Sequence, residues 1–160
     1  METGQTVRVT ARCSECGGTT VRQVNQFIHC DDLWWDAEIS CSTCGMTGCE
    51  YSGPGTPPDD VRDALLAAHG PARLRVVGPL PSLVPVLKVL REVSGASLSD
   101  AREQADGLSR IGLTGTLTEM EFLGARLRRR GLPADVEVGE TDRGRIMIQG
   151  ITPGRAATSD

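Results

Sequence analysis

Two closely spaced cysteine pairs constrain this chain more than anything else in it: Cys13-Ser-Glu-Cys16 and Cys41-Ser-Thr-Cys44, with 24 residues between them. A Cys-x2-Cys turn aims two sulfurs at one point, and two such turns supply the four soft ligands that tetrahedral zinc takes. Glycine follows each pair, at Gly17-Gly18 and at Gly45, and lets the chain curl so that backbone N–H groups reach the sulfurs. The other reading, a reduced Cys-x2-Cys of a redox protein, explains two pairs with a glycine after each less simply than one metal does. Cys13, Cys16, Cys41 and Cys44 are therefore the expected ligands of one structural zinc. Cys30, next to His29, and Cys49 are left over; either can replace a ligand or serve as a buried spare thiol.

All six cysteines fall in the first 49 residues. The N-terminal METGQTVRVTAR is polar, without the apolar core of a signal peptide, and no apolar run approaches the ~20 residues that span a bilayer. Reduced, metal-bound thiolates in a cytoplasmic protein, with no membrane role, are the expectation.

Between the pairs the pattern reads as two strands, Thr19 to His29 and residues 33–40, joined by a turn at Asp31-Asp32. This layout resembles a zinc ribbon and is expected to occupy residues 1–52. Trp34 and Trp35 are adjacent, so on a strand they point to opposite faces. Trp35 shares its face with Ala37 and Ile39 and belongs to the core. Trp34 lies with Asp36 and Glu38, either covering the edge of the small ribbon or anchoring a partner. The carboxylates beside it argue against a phosphate backbone as that partner.

Residues 53–73 read as a linker, opened by Gly53-Pro-Gly-Thr-Pro-Pro58 and carrying a short amphipathic helix with Val61, Leu65 and Ala68 on one side. His69, at its end, is expected as a surface cap rather than a ligand. Residues 74–77 look like a strand. Ser82 can cap a following helix in which Pro85 is tolerated early, Val86, Leu90 and Val93 form the apolar stripe, and Gly95 makes the stop. Ser97 with Asp100 opens a second helix bearing Ala101, Ala105 and Leu108. Thr118-x-x-Glu121 has the capping-box pattern for a third, with Phe122, Leu123 and Leu127 inward and Gly131 at its end. Val136-Glu-Val138 alternates as a strand. The remaining 140–160 hold one possible strand, residues 145–151, and a tail. Aromatics make up only 3% of the chain, so the core must be aliphatic.

Residues 74–139 resemble the C-terminal domain of the bacterial ribosomal stalk protein, most densely at Lys88-Val-Leu-Arg91, Ser94-Gly95, Leu98-Ser-Asp-Ala101-Arg102, Arg126-Leu127 through Gly131, and Val136-Glu-Val138. That resemblance implies a compact three-helix/three-strand domain, and with the ribbon it makes the whole chain α+β. It also implies that Lys88, Arg91 and Arg102 meet translation-factor GTPases, as basic residues of the family's first two helices do. Leu83 and Ser99 stand where the family has lysines, so this face carries fewer cations, and the fold alone can have been kept.

The expected role is a non-enzymatic, zinc-stabilised protein-interaction module whose partner is a translation factor or the ribosome. An immunity or antitoxin protein that blocks a cognate toxin is the second reading, suggested by an acidic, compact chain without an active site. The third is binding to ribosomal RNA through the ribbon and Arg126, Arg128, Arg129 and Arg130, a run that also suits a helix C-terminus on dipole grounds alone. The net charge of −4 gives no general pull toward nucleic acid. With His29 and His69 the only histidines, and no nucleophile in a recognisable setting, catalysis is not expected.

Overall fold

The computed structural model describes residues 3–139, which form a mixed α+β structure of four helices and two antiparallel sheets. They divide into two units, one ending at Gly70 and the other running Pro71–Gly139.

The first unit is a four-stranded meander, β1 (Gly4–Arg12), β2 (Thr19–His29), β3 (Asp32–Cys41) and β4 (Thr47–Pro54), in that spatial order. Alternation decides its faces: Val7 pairs with Val24 and Val24 with Ala37, and all three are buried. Helix α1 (Asp59–His69) covers this side, burying Val61, Leu65 and Ala68 against Val7, Val24, Trp35 and Ala37. Trp35 is in the core as expected, stacked on Tyr51 at 4.1 Å between ring centroids. Tyr51 in turn lies so close over Gly53 that a Cβ there would stand 2.8 Å from its hydroxyl.

Two features differ from the expectation for this half. The polar N-terminus is a full strand: Gln5, Val7 and Val9 alternate with Thr6, Arg8 and Thr10, a half-buried pattern that polarity alone conceals. The segment 53–73 does not behave as a linker. Gly53 and Pro54 finish β4, an edge strand where proline is tolerated, and the helix that follows is the other half of the core. Polar ties reinforce it. Arg22 bonds both Glu50 and Asp60, and His69 Nε2 donates to the Thr6 carbonyl at 2.7 Å. His69 is thus a latch between helix and sheet.

In the second unit β5 (Ala72–Val76) is the central strand, flanked by β6 (Leu113–Gly115) and β7 (Ala134–Val138). Helices α2 (Val84–Ser94), α3 (Leu98–Arg110) and α4 (Leu117–Arg129) lie with Leu74 in one aliphatic core that includes Val86, Val89, Leu90, Ala101, Ala105, Leu108, Leu123 and Leu127. Gly95 ends α2 in the left-handed conformation at φ 65°, and Ser97 caps α3 by accepting from the Asp100 N–H, both as expected. Ser82 accepts from the Val84 N–H, although the cap position itself falls on Leu83.

The capping box of α4 needs correction. It is formed by Thr116 and Glu119, whose side chains each bond the other's backbone N–H, whereas Thr118 is buried within the first turn. Two overlapping Thr-x-x-Glu patterns compete, and the earlier one starts the helix. Strand β6 has no counterpart in the sequence pattern: three residues with two glycines beside or within it carry almost no period. The expected strand at 145–151 lies outside the described residues.

Candidate metal centre

The two knuckles are built alike. At the end of β1 the Gly17 N–H donates to the Cys13 carbonyl at 2.9 Å and the Cys13 N–H to the Gly18 carbonyl at 2.7 Å. After β3, Gly45 donates to Cys41 at 2.9 Å and Cys41 to Met46 at 2.8 Å. Gly17 and Gly45 have φ of 71° and 76°, values that a side chain disfavours, so the glycines close each turn. Thr20 pairs with both Ala11 and Cys41, so the antiparallel register sets the knuckles side by side.

The result is a single cluster. The Sγ atoms of Cys13, Cys16, Cys41 and Cys44 all lie within 4.8 Å of one another. Across the knuckles Cys16 and Cys41 are 3.6 Å apart and Cys13 and Cys44 3.9 Å. Four sulfurs at about 2.3 Å from a shared zinc would stand about 3.8 Å apart, so the spacing fits a tetrahedral thiolate site. It is also far beyond the ~2.05 Å of a disulfide. Cys13 and Cys41 are buried and Cys16 and Cys44 exposed, which leaves the cluster half-sheltered at the end of the sheet. Four cysteines so placed could hold a metal ion, and no other such group occurs among the described residues.

Backbone donors polarise the sulfurs. N–H groups of Cys44 and Thr43 bond Cys41 and, with the neighbouring thiols, hold it at about 6 despite desolvation. At Cys16 the Gly18 N–H, 3.3 Å from Sγ, pulls downward, but desolvation and the thiols of Cys41, Cys44 and Cys13 outweigh it and push the group up to about 12. Without metal the cluster therefore concentrates its negative charge on Cys41. Gly18 donates to a sulfur as the glycine after the pair leads one to expect, whereas the part played by Thr43 and its close fit against Gly18 are invisible in spacing.

Neither Cys30, His29 nor Cys49 joins the cluster. Strand β2, 11 residues long, puts about 35 Å between the knuckles and the His29–Asp32 hairpin. Cys30 and Asp31 form that hairpin's two-residue turn, both at positive φ (49° and 64°), with Cys30 Sγ 3.4 Å from His29 Nε2. Cys49 is exposed beside Glu38. None of the three is the buried spare thiol or replacement ligand that the composition allows.

The other expected site residues stand elsewhere. Trp34 is half-buried on the sheet face opposite α1. Lys88, Arg91 and Arg102 are exposed on α2 and α3, with Val84 (56% exposed) one turn from Lys88 and Arg91 bonded to the Ala96 carbonyl. The arginine run at the end of α4 is largely engaged. Arg128 bonds Glu121 and the Ala134 carbonyl, Arg130 bonds both oxygens of Glu92, and Arg126 lies over the Phe122 ring. Cations so committed offer less to a phosphate backbone. No helix among the described residues is long and apolar enough to cross a membrane. Compared with protein-family models, curated proteins and solved structures, the chain matches none.

Proposed function

We propose that the protein is a non-catalytic interaction module in which one zinc ion holds the first unit together and the second unit docks on a protein partner. The observation that supports this reading is the cluster of four cysteine sulfurs, all within 4.8 Å of one another. Soft sulfur donors in a tetrahedron select zinc or iron, and four protein ligands leave no position for a substrate or activated water. A site of that kind stabilises a fold; it does not turn over.

The docking surface is the exposed side of α2 and α3. Lys88 and Arg102 make no ion pair among the described residues, and exposed Val84, one turn from Lys88, stands with exposed Leu83 at the start of α2. Free cations edged by apolar side chains suit an acidic protein surface, and the resemblance to the stalk protein's C-terminal domain makes a translation-factor GTPase the partner to test first. The purified protein is expected to carry about one zinc per chain by elemental analysis. Capture of elongation factors from a lysate is expected, and expected to be lost in the Lys88→Glu/Arg91→Glu variant. Capture that survives this charge reversal removes the partner reading while leaving the metal reading in place.

A further inference from the structure

The face of the first sheet turned away from α1 carries chemistry that neither the metal nor the α2–α3 surface uses. Phe27 and Trp34, directly opposite each other on β2 and β3, have ring centroids 6.5 Å apart at 28°. His29 meets Trp34 edge-on at 5.2 Å and 80°. Three rings thus gather at the hairpin end of this face, and Trp34 remains only half-buried.

Carboxylates run along the same side of β3. Asp32, Asp36 and Glu38 alternate with the inward residues, so Asp32 and Asp36 flank Trp34 at about 7 Å on either side. A polar ladder fixes the middle one: Thr6 donates to Asn25 at 2.8 Å and Asn25 to Asp36 at 2.6 Å. Glu38 is exposed and has no bonded partner among the described residues. Beyond it the face sinks into a depression of about 540 Å³ whose lining includes Arg8, Val21, Glu38 and Cys49. Arg8 is bonded to Gln23.

We propose that this face binds a basic, extended segment of a partner protein, with one lysine or arginine side chain against Trp34 between Asp32 and Asp36, and the rest following β3 past Glu38 to the depression. Charge complementarity selects the occupant. A cation is attracted both to an indole face and to the carboxylates beside it, whereas a phosphate backbone or acidic peptide would meet three like charges. Length selects its form. From Trp34 to Ser40 is about 20 Å, the reach of six residues in extended conformation.

The test is an NMR titration of the full, metal-loaded chain with a capped hexapeptide alternating arginine and serine. A glutamate–serine peptide and a single-stranded oligouridylate serve as competing ligands. Shifts are expected at the Trp34 indole and at Phe27, Asp36 and Glu38, for the arginine peptide only, and weakening with salt. Trp34→Ala should lower affinity about fivefold or more, while Trp34→Phe, which keeps a ring, holds most of it. Glu38→Lys, at an exposed position that cannot disturb the core, should weaken binding severalfold even if Trp34→Ala folds poorly. Shifts confined to α2 and α3, equal response to the glutamate peptide, preference for the oligouridylate, or unaltered affinity in Glu38→Lys and Trp34→Ala would each overturn the proposal.

Discussion

A Cβ on Gly18 would stand 2.5 Å from Thr43 Oγ1, 2.8 Å from its Cβ and 3.2 Å from Cys16 Sγ. Rotating Thr43 cannot clear its own Cβ, so one knuckle must move away from the other. Gly18→Ala is expected to cost about 1–3 kcal/mol and to weaken metal retention about tenfold or more in chelator competition. Protons compete for the same sulfurs. Cys41 has a folded value near 6 against an ordinary 9.0, so in the metal-free protein its thiolate stabilises the fold fully above pH 9, and that share is lost as pH falls through 6. Cys16 has the opposite sign, its share being present below pH 9 and lost as pH rises through about 12. Ultraviolet thiolate absorbance of the chelated protein should show one early ionisation near pH 6 that Cys41→Ser removes. The clustering of the four cysteines was legible in the sequence because their spacing encodes it. What tunes them was not, since the N–H groups of Thr43 and Cys44 act through three-dimensional aim rather than residue type.

Helices with a polar starter and a glycine stop were readable element by element. Ser97, Gly95 and the buried Ala101, Ala105 and Leu108 fall where periodicity puts them. The start of α4 was misplaced by one overlapping motif, and a substitution separates the alternatives. Thr116→Ala should destabilise the second unit by about 1 kcal/mol in thermal or denaturant unfolding, because it strips the Glu119 N–H of its acceptor. Glu121→Gln, which loses only a half-exposed pairing with Arg128, should change stability by a few tenths of that. Strands were less legible. β1 hides in polar alternation, β4 contains Gly48, Gly53 and Pro54, and β6 is too short to show a period. Each becomes a strand because a neighbour supplies hydrogen-bond partners, a tertiary cause that local sequence does not carry.

Taken whole, the described residues hold two separate cores, one around Leu65 and Val24 that includes Trp35, and one aliphatic around Leu74 and Leu127. A small zinc ribbon, the expectation for residues 1–52, draws its folding energy from the metal. The α1 core gives the first unit a second source of stability, since burying several large side chains contributes about 1.5–3 kcal/mol each. Chelation should therefore fray the knuckles and lower the first unit's unfolding midpoint without moving that of the second, giving two resolved transitions in calorimetry. Amide exchange should rise at Cys13–Gly18 and Cys41–Met46 before it rises in Val24 or Ala37. Among the described residues each unit is also one unbroken run of chain. During synthesis the first unit can close its sheet while the second is still on the ribosome. The central strand of the second sheet, by contrast, waits for a neighbour some sixty residues downstream, so that sheet closes later in synthesis than the first.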